Sequence, residues 1–302
     1  MKKKKPKILL LIDKPDWAFD ICASEYIKYL SNDFIFIKKF LVRPRPLLLS
    51  PQYDLIHVFW WGETYYKRFH WPKSKILKEV SSHRWEDDPR YGPCTPEEFA
   101  KKYLADAGTI VCTSIKLFSK IEPFIPRICL ANNGYSPQVF FLEQRKNPGT
   151  LSLCWVGNSN DTVKGIHDIL VPAATELKLT IDIATNLPHE ELREFYNVHD
   201  VILVGSIHEA SPLTLIEAMA CGCFPVCTDV GIVSELVNHK QNGYIVEERS
   251  VEAFIKAFVW CSDNIDFVRK QGIQNASLVY EKRRWEVCAE SFRQMYKEAL
   301  LP

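Results

Sequence analysis

Short apolar runs rich in β-branched residues alternate along the chain with stretches of helical periodicity. In the first half, residues 8–12, 34–40, 55–59, 76–80 and 109–113 read as strands. In the second half, residues 151–156, 179–184, 201–204, 224–228 and 244–246 do so. Most of the second-half runs are continuously apolar, as expected of strands covered on both faces. Regular strand–helix alternation predicts the α/β class, built on parallel sheets.

A boundary is visible near the middle. Asn132-Asn133-Gly134-Tyr135-Ser136-Pro137 is a turn cluster, and residues 144–149 form a polar linker with two helix breakers. The junction is therefore placed between 142 and 143, with a first domain over 1–142 and a second over 143–284. The last helical stretch, about 285–302, is expected to pack back on the first domain. A length of 302 residues suits two domains at about 100–200 residues each. With 47% apolar and 25% charged residues, two ordinary cores need no disulfides.

Composition then narrows the setting. No apolar run approaches the roughly 18 residues of a membrane span. The basic start Met1-Lys2-Lys3-Lys4-Lys5-Pro6-Lys7 is followed by an apolar stretch too short for a signal peptide, so a cytoplasmic protein is expected. The ten cysteines follow no disulfide framework and read as reduced, buried thiols. Charge is uneven: residues 1–140 hold 23 Lys+Arg against 15 Asp+Glu, and residues 141–302 hold 15 against 22. The first half can meet an anionic partner, such as the inner face of a membrane, or simply carry a basic tail.

The densest chemistry lies at His208-Glu209-Ala210-Ser211-Pro212-Leu213-Thr214-Leu215-Ile216-Glu217. Ser211 suits an N-cap, Pro212 the first helical position, and Gly222 the stop. A helix thus opens just beyond the carboxyl end of strand 201–204, where open α/β sheets bind ligands. Its free N–H groups and dipole make a ready site for phosphate; the alternative is a capped, amphipathic helix with two incidental glutamates. Glu209 lies in the loop before it and Glu217 about one and a half turns inside, so a diphosphate fits between two carboxylates. Strand 151–156 leads into Gly157-Asn158, and Lys164-Gly165 opens the next helical stretch. Lys164 can reach the same crevice and offset phosphate charge, or it can be a solvated lysine.

With these motifs in order, the chain resembles glycosyltransferase family 4, the retaining, nucleotide-sugar-dependent enzymes of GT-B architecture. The resemblance rests on two glutamates separated by seven residues, Glu209 and Glu217, the latter opening Glu217-Ala218-Met219-Ala220-Cys221-Gly222. It extends to Thr228-Asp229-Val230-Gly231, Ser234-Glu235-Leu236-Val237, Asn242-Gly243-Tyr244-Ile245-Val246 and Asn133-Gly134-Tyr135, covering about 105–260. It implies two Rossmann-like domains whose sheets face a central cleft, the acceptor side in the first and the donor side in the second. It implies that Glu217 holds ribose hydroxyls, Glu209 contacts the donor sugar, and Lys164 stabilises the leaving diphosphate. Two departures stand out: Asn158 occupies a position where the family commonly has arginine, and Ala210-Ser211-Pro212 replaces Gly-Phe-Gly.

In the first half, His83 follows a strand end, and the resemblance suggests it contacts the donor sugar near the reacting carbon; a solvated loop histidine is the alternative. Trp17 and Trp61 can each present a ring to an acceptor or pack against the sheet. The expected reaction joins a sugar from a nucleotide diphosphate sugar to a glycan, lipid-linked glycan or protein hydroxyl, with no metal and no other cofactor. A non-catalytic nucleotide-sugar binder of the same fold is the alternative. Dehydrogenases and P-loop enzymes are excluded by the absence of Gly-x-Gly and of Gly-x4-Gly-Lys-Ser/Thr, and nucleic-acid binding is not expected.

Overall fold

A computed structural model of the chain describes residues 4–42, 46–143 and 149–301. They fall into two compact units: Met1–Asn133 with Trp285–Pro302, and Gly134–Arg284. Residues 2 and 3 of the basic start, and 144–148 of the polar linker, lie outside the described residues.

The first unit carries β1 (Lys7–Ile12), β2 (Ile35–Phe40), β3 (Leu55–Val58), β4 (Ile76–Val80), β5 (Thr109–Cys112) and β6 (Ile128–Leu130). They form one sheet in the order β2-β1-β3-β4-β5-β6, every pair parallel. Strand β6 is a three-residue edge strand, too short to stand out as an apolar run. Helices α1 (Ala18–Leu30), α2 (Pro96–Phe99) and α3 (Ile115–Ile121) belong here. Thr95 opens α2 with a reciprocal capping box to Glu98, and the Ser114 hydroxyl accepts from Leu117 N–H to open α3.

The C-terminal helix Trp285–Ala299 also belongs to this unit. Its buried residues Trp285, Cys288, Ala289, Phe292, Met295, Tyr296 and Ala299 recur at the spacing of one helical face. Phe292 lies 4.2 Å from the Tyr26 ring on α1, and the Tyr296 hydroxyl is 2.8 Å from Nδ1 of His57 on β3. Each such large apolar side chain contributes about 1.5–3 kcal/mol on burial, which ties the end of the chain to its beginning.

The second unit carries β7 (Leu153–Val156), β8 (Ile181–Ala184), β9 (Val201–Val204), β10 (Phe224–Thr228) and β11 (Tyr244–Val246), in the parallel order β11-β10-β9-β7-β8. Its helices are α4 (Val171–Glu176), α5 (His189–Asn197), α6 (Leu213–Ala220), α7 (Val233–Leu236), α8 (Val251–Asp263) and α9 (Ile265–Arg283). One face is covered by a core that includes Leu215, Ile216, Met219 and Tyr196, the other by Ile166, Leu170, Phe254 and Phe258. Coverage on both faces explains the unbroken apolar runs of β9 and β10. Strand β8 is an edge and leaves Asp182 and Ile183 exposed. Tyr135 and Phe140 enter the second unit's core, and Glu143 N–H donates to Asn197 Oδ1 at 2.7 Å. The chain therefore joins that unit within the turn cluster, ahead of the linker where the sequence pattern draws the junction.

Both sheets have a switch point. From β1 the chain goes to β2 on one side and then to β3 on the other; from β7 it goes to β8 and then to β9. Neighbouring connections run to opposite sides there, so a crevice opens at the carboxyl ends of the two strands.

Candidate functional site

At the switch point of the second unit, β7 runs into Gly157-Asn158 and β9 into Gly205-Ser206. A Cβ at Gly157 would meet the Trp155 ring at 2.9 Å, so the turn stays close to the sheet. The Asn158 Oδ1 accepts from Asn160 N–H at 3.1 Å. Where the resemblance expects an arginine, this chain has a side chain that shapes the turn.

The structure brings Lys164 and Glu209 together. Lys164 closes a short 3-10 turn, Thr162–Lys164, opened by Asp161, whose carboxylate accepts from Val163 N–H. Its ammonium donates to the Glu209 carboxylate in a close ion pair, and the Ser206 hydroxyl donates to the same Glu209 oxygen at 3.0 Å. The two loops are stitched by Ile207 N–H to Val163 O at 3.0 Å. Thr228, at the end of β10, donates to Ser206 O at 2.6 Å. Arg249 donates to Gly205 O at 2.8 Å and approaches Asp168 at 3.3 Å.

Gly165 makes this approach possible. Its φ is 73°, and a Cβ there would lie 2.6 Å from Gly205 O and 2.7 Å from the Arg249 guanidinium. Gly165→Ala is expected to cost about 1–2 kcal/mol from left-handed backbone alone, and more from the contact with β9. Urea unfolding of the variant checks this; unchanged stability would contradict the packing described.

The helix carrying Glu217 begins one residue later than the sequence pattern predicts. Pro212 is the N-cap, with no side-chain cap bond, and Ser211 is not the cap. The Ser211 hydroxyl is buried without a hydrogen-bond partner among the described residues. Glu217 sits four residues into α6, about one turn rather than one and a half. It is 6% exposed, and burial pushes its carboxyl up to about 8. The Tyr196 hydroxyl nearby pulls weakly the other way, and it forms no hydrogen bond of normal geometry. Burial therefore favours the protonated form of the Glu217 carboxyl. Leu213 and Thr214 form the open first turn and are partly exposed. Lys164, Glu209 and Ser206 are bonded to one another beside the loop that leads into α6, and Glu217 lies buried one turn inside that helix.

The first unit is less uniform. His83 follows β4 and precedes the 3-10 turn Arg84–Glu86; it is 9% exposed, so it is not a solvated loop residue. Trp17 is 39% exposed at the start of α1, with the Lys14 ammonium 3.3 Å from its ring centroid. Trp61 does not hold as an acceptor platform. Its ring is fully buried among Trp60, Trp85, Tyr91, Phe99 and Tyr103, leaving no face for a sugar.

Sequence reasoning missed Ser206, Arg249 and the role of Thr228. Thr228 was visible inside a quoted motif, but a lone serine and a loop arginine carry no local signal. Among the described residues, no helix is long and apolar enough to cross a membrane, and none of the ten cysteines is in a disulfide, nine of them being buried.

Comparison with known proteins follows this geometry. Residues 155–277 match the family model described as glycosyl transferases group 1. The chain is 26% identical over 220 residues to a D-inositol 3-phosphate glycosyltransferase of Rhodococcus erythropolis, covering 70% of this chain and 47% of that protein. It is 30% identical over 115 residues to an uncharacterized glycosyltransferase of Methanocaldococcus jannaschii, covering 37% and 28%. The chain thus spans less than half the length of these relatives. Among solved structures, a sucrose-phosphate synthase from Thermosynechococcus elongatus superposes with a TM-score of 0.74 at 16% identity, covering 97% of this chain and 99% of that one. Anabaena HepE in complex with UDP-glucose gives 0.73 at 12% identity, covering 97% and 100%. The match to the glycosyl transferases group 1 model covers the second unit's donor-side segment, and the chain as a whole has the two-sheet GT-B fold of these solved structures.

Proposed function

We propose that the chain is a retaining glycosyltransferase that moves a sugar from a nucleotide diphosphate sugar to an acceptor hydroxyl. The observation that carries this reading is the Lys164–Glu209 pair held beside the open N-terminus of α6, at the switch point of the second sheet. In this reading the diphosphate lies against the first turn of α6, and Lys164 turns from Glu209 to the phosphate oxygens. Glu209 then accepts hydroxyls of the donor sugar, and Glu217, deprotonated on binding, accepts the ribose hydroxyls.

The anomeric C–O bond to the diphosphate breaks as the acceptor oxygen bonds to the same carbon from the same face. The acceptor proton passes to the departing phosphate oxygen. Lys164 and the helix N-terminus compensate the charge that develops on that oxygen, which is where fixed positive groups lower a barrier most. No metal or further cofactor is required in this scheme. In this reading the protein works in the cytoplasm, with a glycan, lipid-linked glycan or protein as acceptor.

UDP-glucose is the first donor to test, because the HepE structure is a complex with it. Incubation with UDP-glucose and a panel of acceptors, read by NMR of the anomeric proton, should give a glucoside of retained configuration. A product of inverted configuration contradicts the same-face scheme. Binding of nucleotide sugars without transfer to any acceptor, or without hydrolysis, returns the reading to a non-catalytic binder, which Asn158 in place of arginine favours.

A further inference from the structure

Three consecutive residues ahead of Glu209 are tied by their backbone to three separate segments of the second unit. Gly205 O accepts from the Arg249 guanidinium at 2.8 Å, and Ser206 O accepts from the Thr228 hydroxyl at 2.6 Å. Ile207 N–H donates to Val163 O at 3.0 Å. Arg249 stands between β11 and α8, Thr228 ends β10, and Val163 lies in the 3-10 turn that carries Lys164. The backbone at Ser206 is thus fixed from both sides, and the origin of its side chain with it. Ser206 and Thr228 are 3% and 6% exposed, so both act from behind the surface.

The Ser206 hydroxyl donates to Glu209 Oε1 at 3.0 Å, and the same oxygen takes the Lys164 ammonium. Glu209 Oε2 has no hydrogen-bond partner among the described residues. The carboxylate is therefore held by two donors on one oxygen and offers the other. A carboxylate oxygen that only accepts suits a sugar hydroxyl that donates.

The two donors differ in what they can do. Lys164 is long and partly exposed, with its side chain 29% accessible, and its ammonium has no other partner among the described residues. It can swing to a phosphate. Ser206 is short, buried and anchored, and it cannot follow. With Lys164 as sole partner, the Glu209 carboxylate would move with the ammonium or lose its hold when the ammonium left. A hydrogen bond to an ionised acceptor is roughly twice as strong as one between neutral groups, so the serine alone can keep Oε1 in place.

We infer that Ser206, braced by Thr228, is the positioning residue that keeps Glu209 aimed at the donor sugar once Lys164 leaves it for the diphosphate. This rests on the proposed glycosyltransferase reading and deepens its account of Glu209.

Calorimetric titration with UDP, GDP and ADP, and with UDP-glucose, GDP-glucose and ADP-glucose, tests the role without an acceptor. For the base that binds the wild type, Ser206→Ala should weaken the nucleotide sugar about threefold to tenfold, because only the sugar offers hydroxyls to Glu209. The bare nucleotide should change by less than about twofold. Thr228→Val, which leaves the serine in place and frees its backbone, should shift the nucleotide sugar in the same direction by about twofold to threefold. Glu209→Ala should weaken the nucleotide sugar relative to the bare nucleotide, and adding Ser206→Ala to it should cost nothing further, since both act through one contact. Equal losses for nucleotide and nucleotide sugar would make Ser206 a support of the loop as a whole and overturn the assignment. So would an unchanged nucleotide-sugar affinity in Ser206→Ala, or a loss that adds in full to that of Glu209→Ala. A wild type that binds none of the six compounds would sink the donor reading itself, whereas binding that ignores Ser206→Ala would sink this assignment alone.

Discussion

Lys164→Ala is expected to lower kcat for sugar transfer by about 10²–10³-fold with a smaller change in KM. That is the usual cost of removing one fixed group from the point where transition-state charge develops. The fold should tolerate the change. Lys164 and Glu209 are partly exposed, with side chains 29% and 14% accessible, and such pairs contribute little to stability. Glu209 also keeps the Ser206 hydroxyl at 3.0 Å. Lys164→Arg should restore only part of the rate, because the guanidinium is larger and is held next to Gly165, already crowded by Arg249. Steady-state kinetics on the three proteins checks this. An effect confined to KM would mean that Lys164 holds substrate and leaving diphosphate equally.

Glu217→Gln is expected to act in opposite directions on the free and the nucleotide-bound protein. Glu217 has a folded-state value near 8 against an ordinary 4.5, raised by burial. Between those values the folded chain keeps a proton that the unfolded chain releases. Stability should therefore fall as pH rises from about 4.5 to about 8, by an amount on the order of a few kcal/mol. Glutamine carries no such proton, so the variant should lose the slope and be the more stable protein at pH 7–8. Nucleotide affinity should respond the other way. Ribose hydroxyls donate to an ionised carboxylate, so wild-type binding should strengthen from pH 6 to 8 with proton release. The variant should bind about 10- to 100-fold more weakly and without that pH dependence. Calorimetry in buffers of different ionisation enthalpy reads both effects. A pH-independent wild-type affinity would place Glu217 outside the nucleotide contact.

Much of this architecture was legible in the sequence because its strands are buried and continuous. Strands β4, β9, β10 and β11 fall where the apolar runs end. Strand β6 was invisible because three residues cannot show a period. Glu209, Glu217 and Lys164 stood out through motif spacing; the structure pairs Lys164 with Glu209 and buries Glu217 within α6. Trp61 was misread because a tryptophan pair at a strand end looks alike whether it faces solvent or an aromatic core. Only the packing of Phe99, Tyr103 and Trp85 around it decides. Ser211 was misread as a cap because Pro212 makes an acceptable N-cap by backbone alone. Ser206 and Arg249 take part through contacts between distant segments, which no local pattern encodes.

The central claim is that the crevice between Lys164 and Glu217 holds a nucleotide diphosphate. It is tested most directly by thermal unfolding of the wild type, Lys164→Ala and Glu217→Ala with UDP, GDP and ADP. A nucleotide at about 100 times its dissociation constant adds about 2.7 kcal/mol to the native state. One nucleotide should raise the wild-type melting temperature, with the shift reduced in Lys164→Ala and lost in Glu217→Ala. No shift with any of the three, or a shift that survives in both variants, would contradict the account.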